Sequence, residues 1–321
     1  MSYNQENYRT VTERLRKSRT DAETAAQERR RRLHAEHPEA WEIDRALGQT
    51  GMRLFEIACR EPSPEKDAEL ARLRAENLSL QQARRDLLAH LGLPADYTEP
   101  RYACAVCRDT GRTETGLCAC MKRALAMEGL RTSGLGRLAQ TQTFDTFSLD
   151  YYHGDDRVSM QRNLEAAQSA AEDFSPERPL FLLLIGPTGL GKTHLSTALA
   201  CRVIERGYDV CSDSAQNIIG AYEHDHFRAG RGEDEFAADK YETCELLVVD
   251  DLGTEFKTPF SLSCLYHLLN TRINQGRSTV INTNLSVADL RARYDDRVTS
   301  RLLGEFRPLV FSGVDVRNQK I

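Results

Sequence analysis

The stretch FLLLIGPTGLGKTHLSTAL, which runs from Phe181 to Leu199, decides how the rest of the chain is interpreted. Its first five residues are apolar without interruption, which is typical of a strand buried on both faces of a parallel sheet. A glycine-rich turn follows, and the apolar residues then return with helical spacing. This order predicts a phosphate-binding loop, because backbone N–H groups converge there at the positive end of a helix.

The turn matches the pattern G-x-x-x-x-G-K-[ST] at every fixed position. The residues predicted to bind nucleotide are Gly186, Pro187, Thr188, Gly189, Leu190, Gly191, Lys192 and Thr193. The side chain of Lys192 would neutralise the β and γ phosphates, and the hydroxyl of Thr193 would ligate Mg²⁺. The alternative, a chance glycine turn before a core helix, leaves the order of strand, loop and helix unexplained.

Two later segments, each predicted to be a strand, also end in polar side chains. The run from Glu245 to Gly253 carries Asp250 and Asp251 at its end, and the run from Ser278 ends at Asn284. Parallel strands deliver such groups to the carboxyl edge of the sheet, where nucleotide sites form. We expect Asp250 to join the Mg²⁺ shell, Asp251 to polarise the attacking water and Asn284 to orient that water. The alternative for Asn284 is a cap on the next turn.

Four of the nine cysteines lie close together, as Cys104-x-x-Cys107 and Cys118-x-Cys120, with glycines between the pairs. Two close pairs can converge on one Zn²⁺, and this spacing predicts a structural zinc site. Unligated buried thiols and an iron–sulfur cluster are the alternatives; zinc is the simpler of the two metal assignments, because no redox partner domain is evident.

Residues 1–93 are charged, rich in Arg, Glu and Ala, and poor in Gly, which predicts an α-helical arm with a narrow apolar stripe. Predicted breaks lie at His37-Pro38, at Gly48 to Gly51 and at Glu61 to Pro64. The arm is either a docking surface for another protein or a solvated spacer. The basic block Arg29 to Arg32 is either a phosphate contact or a solvated face.

The whole chain of 321 residues has a net charge of −5 and an apolar content of 40%, enough for at least one sizeable core. No apolar run approaches the roughly 20 residues that span a bilayer, and the N-terminus lacks the apolar core of a signal peptide. We therefore expect a cytoplasmic protein with no membrane partner. The predicted domains are a helical arm at 1–93, a zinc-binding element and linker at 94–139, and an α/β parallel-sheet domain at 140–321.

From about residue 140 onward the sequence resembles the AAA+ ATPases of the bacterial replicative helicase loader type, which are DnaC- and DnaI-like, together with IstB-like transposition ATPases. The motifs that carry the resemblance are, in order, FDTFSLDYY, GPTGLGKTHL, LLVVDDLGTE, VINTNLS, RVTSRLLGEF and DVRNQK. The cysteine element with a helical arm ahead of it resembles loader-type proteins of Gram-positive bacteria and their phages. The expected fold is therefore an AAA+ P-loop domain preceded by an α-helical arm and a small zinc-binding element.

The resemblance also implies roles for single residues. Lys192 and Thr193 match Walker A, and Asp250 and Asp251 match Walker B. At the position of Asp251, glutamate is usual in AAA+ proteins. Asn284 matches sensor 1, and two arginines complete the set: Arg301 matches the arginine finger, and Arg317 matches sensor 2. The segment from Ser214 to Glu242, with Arg228 and Arg231, matches an insertion that loaders use near single-stranded DNA.

The implied function is DNA replication as an ATP-dependent helicase loader. It would bind a hexameric replicative DNA helicase and single-stranded DNA, associate with itself through its AAA+ domains, and hydrolyse ATP weakly and only as an oligomer. Its cofactors would be ATP, Mg²⁺ and Zn²⁺. A transposition helper and an ATP-binding adaptor without turnover are the alternatives.

Overall fold

The computed structural model describes residues 3–228 and 236–319. It divides into two compact units, one made of residues 12–118 and the other of residues 1–11 together with 119–321. Within the described ranges, no helix combines the length and the apolar character needed to cross a bilayer.

The first part of the chain is helical. It contains α1 (Gln5–Glu36), α2 (Pro38–Ala58) and α3 (Pro64–His90). The predicted breaks before Pro38 and Pro64 are confirmed, and both prolines stand in the first turn of a helix, where no N–H partner is lost. The side chain of Ser63 caps α3 by accepting from the backbone N–H of Lys66 at 3.1 Å. A short hairpin of β1 (Arg112–Thr113) and β2 (Gly116–Leu117) follows.

The predicted break at Gly48 to Gly51 is wrong, because α2 runs through both glycines. A glycine inside a helix costs only about 1 kcal/mol, and packing can offset that. Thr50 and Ile57 are buried on one side of α2. The Thr50 hydroxyl donates to the carbonyl of Ala46 at 3.0 Å and accepts from the amide of Asn77, on α3, at 2.8 Å. The contact with α3 therefore holds this part of α2 helical.

The second part alternates helices and strands. Its elements are α4 (Ala119–Thr132), α5 (Leu138–Thr141), α6 (Gly154–Glu172), β3 (Phe181–Ile185), α7 (Lys192–Glu205), β4 (Val210–Ser214), α8 (Ala215–Arg228), α9 (Asp239–Thr243), β5 (Leu246–Leu252), α10 (Pro259–Asn274), β6 (Ser278–Thr283), α11 (Val287–Arg293), α12 (Asp296–Gly304), β7 (Arg307–Val310) and a 3-10 turn at Val316–Gln319.

Five of these strands form one parallel sheet in the order β4-β5-β6-β3-β7. Alternate residues of β3 enter different cores: Leu182 and Leu184 belong to the core that contains α7, whereas Leu183 and Ile185 belong to the core that contains α10. The uninterrupted apolar run of β3 is thereby explained, because the strand has no solvent-facing side. The predicted α/β class, with a parallel sheet preceded by a helical region, is confirmed.

Candidate nucleotide and metal sites

The phosphate loop joins the carboxyl end of β3 to the first turn of α7. Gly186, Gly189 and Gly191 have positive φ angles of 152°, 81° and 81°, which side chains rarely allow. A Cβ on Gly186 would lie 2.2 Å from the carbonyl oxygen of Phe311, so the loop is also packed too closely for any larger residue. Lys192 then begins α7. The predicted order of strand, loop and helix is therefore present, with the helix N-terminus at the loop.

Lys192 lies against this loop and is only 6% exposed. Its ammonium group donates to the carbonyls of Gly186 at 2.7 Å and Pro187 at 2.6 Å. Burial lowers the pKa of Lys192 to about 8, although the carboxylates of Asp251 and Asp250 act in the opposite direction. The side chain is thus a partly desolvated cation, and an anion entering the loop would stabilise its charged form.

Thr193 and Asp250, the two predicted Mg²⁺ ligands, are adjacent. The Thr193 hydroxyl donates to the Asp250 carboxylate at 3.2 Å. Asp250 directly follows four buried residues of β5, and its partial burial raises the pKa of its carboxyl group. A hydroxyl and a carboxylate side by side, one on the loop and one on a neighbouring strand, are oxygen donors of the kind Mg²⁺ prefers.

Asn282 completes this group, and the sequence analysis missed it. Its side-chain amide donates to Asp250 at 2.9 Å and to the hydroxyl of Ser196 at 2.7 Å. It is 1% exposed and lies in β6 opposite Leu184 of β3. The available signal was an amide inside the predicted strand that precedes Asn284, since a buried polar side chain in a central strand requires partners.

Asp251 and Asn284 also meet at the sheet edge. The Asn284 amide donates to the Asp251 carboxylate at 3.3 Å, and Asp251 adopts a left-handed backbone with φ of 51°. Such a conformation costs about 1–3 kcal/mol for a residue other than glycine and is typical of functional sites. Asp250 is half-buried whereas Asp251 is exposed, so the two acids occupy different environments.

A cavity of about 360 Å³ lies beside the loop. The predicted site residues that line it include Lys192, Thr193, Asp251, Asn284 and Arg317. Aromatic residues from the segment before α6 line it as well, among them Phe147, Tyr151 and Tyr152. A site that combines two cations, a carboxylate and aromatic rings suits the phosphates, metal and base of a nucleotide.

The C-terminal segment reaches this cavity through the loop itself. The Val316 N–H donates to the carbonyl of Gly189 at 3.0 Å. The Asp315 carboxylate is so close to Gly189 that a Cβ on this glycine would lie 1.9 Å from Oδ1 of Asp315. Asp315 also accepts from the N–H of Arg317 at 2.8 Å. Arg317 therefore stands at the cavity, and its charge contributes to lowering the pKa of Lys192.

Of the three predicted catalytic residues, Asp251 and Asn284 line the cavity and Arg301 does not. It lies on α12, where its guanidinium donates to the side-chain oxygen of Asn270 at 3.1 Å and stands 5.9 Å from the centre of the Tyr266 ring. A role in a neighbouring subunit's site stays a prediction. Arg231 and the side chain of Arg228, in the predicted DNA-proximal insertion, lie outside the described residues.

Two observations test whether the cavity suits a nucleotide and its metal. The glycines of the loop, held at positive φ, leave its backbone without side chains at three positions, as a phosphate-binding loop requires. In addition, Oε1 of Gln142 and Oδ1 of Asn282 are buried without a hydrogen-bond partner among the described residues. Gln142 lines the cavity, and Asn282 contacts Asp250. Unsatisfied buried oxygens are rare, so the residues present fit a polar ligand with a hydrated cation.

The four predicted zinc ligands form a separate cluster. The Sγ atoms of Cys104, Cys107, Cys118 and Cys120 all lie within 4.8 Å of one another. Cys104 and Cys118 have their sulfurs 3.8 Å apart. Four thiolates at about 2.3 Å from a tetrahedral Zn²⁺ have sulfur–sulfur edges of about 3.8 Å, so the observed spacing fits zinc.

The turn around these cysteines is fixed by Asp109, which is 1% exposed. Its carboxylate accepts from the N–H groups of Ala103 at 3.0 Å and Cys104 at 2.8 Å. The N–H of Gly111 donates to the sulfur of Cys107 at 3.3 Å. A backbone donor directed at this sulfur holds it in a fixed orientation, as hydrogen bonds to metal ligands commonly do.

A family model described as "IstB-like ATP binding protein" matches residues 124–305. The replicative helicase loader DnaC of Escherichia coli strain K12 is 23% identical over 199 residues, which cover 61% of this chain and 78% of DnaC. The chromosomal replication initiator protein DnaA of Mycoplasma pneumoniae is 29% identical over 170 residues, but the chain spans only 36% of DnaA.

Among solved structures, a crystal structure of the DnaC helicase loader aligns with a TM-score of 0.45 and 27% identity, over 53% of this chain and 98% of that one. A crystal structure of DnaI aligns with a TM-score of 0.44 and 18% identity, over 57% of this chain and 94% of the DnaI chain. The family match covers more than half of the chain and includes the loop, both acids and Asn284. The chain is thus a DnaC-like AAA+ ATPase that belongs to the family of IstB-like ATP-binding proteins.

Proposed function

We propose that this protein is an ATP-dependent loader of a replicative DNA helicase. The observation that carries the proposal is the meeting of Thr193, Asp250, Asp251 and Asn284 beside the phosphate loop. Acting in the cytoplasm, the protein would bind the helicase hexamer with its helical arm. Its AAA+ domains would associate on single-stranded DNA, with ATP occupancy setting the state of assembly.

In this proposal the loop N–H groups and Lys192 hold the phosphates, and Thr193 and Asp250 supply oxygens to Mg²⁺, which would offset the phosphate charge. Asp251 accepts a proton from the attacking water, and the Asn284 amide orients that carboxylate and the water between them. Arg317, in the C-terminal segment, binds the phosphates. Arg301 acts on the nucleotide of a neighbouring subunit, so hydrolysis is weak unless subunits assemble.

The choice of helicase as partner rests on the DnaC relative, whose name states that it loads a replicative helicase and most of whose length this chain matches. A second candidate is an ATPase that helps a transposase, because the matching family model is IstB-like. A third candidate, an adaptor without turnover, is less well supported. It gives no reason for a strained Asp251 to be held by Asn284.

We further propose the domain limits 1–93 for the arm, 94–139 for the zinc element and linker, and 140–321 for the AAA+ domain. The zinc element would brace the arm by fixing the turn from Ala103 to Gly111, because Asp109 in this turn accepts from the Ser18 hydroxyl of α1 at 3.0 Å. Zn²⁺ would have a structural role there, because four cysteines leave no open position for a substrate.

The test of this proposal is co-purification of the full chain with a tagged replicative helicase from its host, with and without ATP. We expect a complex whose amount depends on nucleotide. Capture by a tagged transposase of the same host, and not by the helicase, would support the second candidate. Binding of helicase that ignores nucleotide, combined with no release of phosphate, would support the adaptor.

A further inference from the structure

The helix α2 has two apolar sides. One side packs inward and buries Ala40, Thr50 and Ile57. The other side is exposed and carries three large residues, Trp41, Met52 and Phe55, of which 47%, 65% and 73% of the surface is accessible. Surface helices normally place polar residues opposite their packed side, so this second apolar side is unusual.

The exposed residues form one continuous stripe. Trp41, Arg45, Gly48, Met52 and Phe55 follow one another at spacings of four, three, four and three residues, which places them on one side of a helix. We call these five residues the outer face of α2. The stripe covers four helical turns, or about 21 Å. Nothing lies within 4 Å of the position of a Cβ on Gly48, so a second helix could approach the backbone closely there.

The Trp41 end of the outer face is basic. The guanidinium of Arg45 lies 5.3 Å from the centre of the Trp41 ring, and Arg30 lines the same surface cavity of about 540 Å³. Neither arginine has an ion-pair partner among the described residues. Two acids line this cavity as well: Asp44, whose carboxylate is already bonded to Arg84 at 2.7 Å and to His34 at 2.8 Å, and Glu99. Arg30 and Arg45 therefore outnumber the one remaining acid, Glu99, and this end offers an excess of positive charge beside an aromatic ring.

We propose that the outer face of α2 binds an amphipathic helix of a partner protein. Apolar residues of that helix pack along Trp41, Met52 and Phe55, and one of its carboxylates pairs with Arg45 and Arg30. That the partner is the replicative helicase rests on the proposed function. The chemistry of the partner, an apolar helix with an acidic residue near one end, follows from the surface alone and does not rest on the proposed function.

A second copy of this chain fits the charges less well. If two α2 helices paired antiparallel about Gly48, Arg45 of one copy would face Gly51 of the other. In a parallel pair it would face Arg45 itself. Neither arrangement supplies a carboxylate to Arg45, and leaving a cation unpaired in an interface is costly. A nucleic acid would use the arginines, but it has no counterpart for the apolar residues Met52 and Phe55.

The test compares variants of the full chain in binding to the purified replicative helicase. We expect Trp41→Ala, Phe55→Ala and Arg45→Glu each to weaken binding about ten-fold or more, as truncation of central interface residues does. Leu78→Ala is the matched control, because Leu78 lies on α3 of the same arm and is 62% exposed. It should bind as the unchanged chain does. Circular dichroism should show that all four variants fold.

Equal binding by the Leu78, Trp41 and Phe55 variants would overturn the proposal. If the unchanged chain does not bind helicase at all, the proposed function fails. The docking surface is then tested separately, by placing a photoreactive amino acid at position 52 in cells and identifying what it crosslinks. The crosslinked protein is then purified and its affinity for each variant is measured. Weaker binding to the Trp41→Ala and Phe55→Ala variants, with unchanged binding to the Leu78→Ala variant, supports the docking surface. A crosslink to a second copy or to nucleic acid, or no crosslink, overturns it.

Discussion

The side-chain amide of Asn282 donates to the carboxylate of Asp250 at 2.9 Å, which ties two neighbouring strands together at the centre of the nucleotide site. The same amide reaches Ser196 on α7. Asp250 is therefore held from β6 and from the phosphate-loop helix at once, and burial alone would leave its negative charge unstable. Asn282 thus acts as a positioning residue for the proposed Mg²⁺ ligand.

We expect Asn282→Leu to destabilise the fold and to weaken Mg²⁺-dependent nucleotide binding. The substitution leaves Asp250 without its amide donor, and an unsatisfied buried group costs about 1–3 kcal/mol. Urea unfolding measures the first effect, and titration of a fluorescent ATP analogue with and without Mg²⁺ measures the second. The control is Asn284→Ala, which removes an exposed amide bonded to Asp251 and should lower turnover while keeping the Mg²⁺ dependence. Identical behaviour of the two variants would contradict the assignment.

Lys192→Ala should abolish ATP binding, because it removes the cation that offsets the phosphate charge. Asp251→Asn should keep binding and lower turnover, since Asp251 lines the cavity beyond the loop and would act on water. Equilibrium binding and phosphate release measured on both variants separate the two roles. If both variants lose affinity to the same extent, the division between binding and catalysis is wrong.

The pKa of about 8 for Lys192 makes nucleotide binding depend on pH. Because burial lowers this pKa from 10.5, the charged lysine opposes folding below pH 8, and that penalty disappears as the pH rises from about 8 to 10.5. Bound phosphate favours the charged form, so binding above pH 8 should take up a proton and weaken as the pH rises. Calorimetry at pH 8.5 in buffers of different ionisation enthalpy measures that uptake.

Asp251→Asn provides a control for this pH dependence. The Asp251 carboxylate raises the pKa of Lys192, so its removal should move the pH at which binding weakens to a lower value. Constant affinity between pH 7 and 9.5 without proton uptake would show that Lys192 is not the titrating group.

The loop from Gly186 to Thr193 was predictable because its geometry is set locally, by glycines and by the start of one helix. The continuity of α2 was not, because burial of Thr50 against α3 decides it and glycine content alone suggests a break. Asn282 was missed for a similar reason: its partners lie on other elements, 32 and 86 residues away in sequence. Local patterns predict local structure, and contacts between distant elements correct it.

The cysteine cluster should hold one equivalent of Zn²⁺. Zinc contributes on the order of 10 kcal/mol to the folding of small sites, so Cys104→Ser should lose the metal and disorder the turn around Asp109. ATP binding should persist, because the phosphate loop belongs to a different core. Elemental analysis of purified protein measures the metal, and Cys59→Ser, at an exposed cysteine outside the cluster, is the control. Less than half an equivalent of zinc in the unchanged chain would contradict the site.

The last prediction is that Arg301 completes the site of a neighbouring subunit. Arg301 does not line the cavity of its own chain, and an arginine supplied in trans can raise the rate of phosphoryl transfer by roughly 10³-fold or more. Activity per subunit should therefore rise with protein concentration and with single-stranded DNA that gathers subunits.

Mixing Arg301→Ala with Lys192→Ala tests this directly. Each variant alone lacks one half of every site, but mixed assemblies contain some interfaces where an intact phosphate loop meets an intact Arg301. Partial recovery of phosphate release on mixing is the expected result. Arg301→Lys mixed in the same way is the control, because a lysine keeps the charge but loses the planar guanidinium that binds phosphate oxygens in pairs. If the two alanine variants assemble together and show no recovery, Arg301 acts only within its own subunit, through its bond to Asn270.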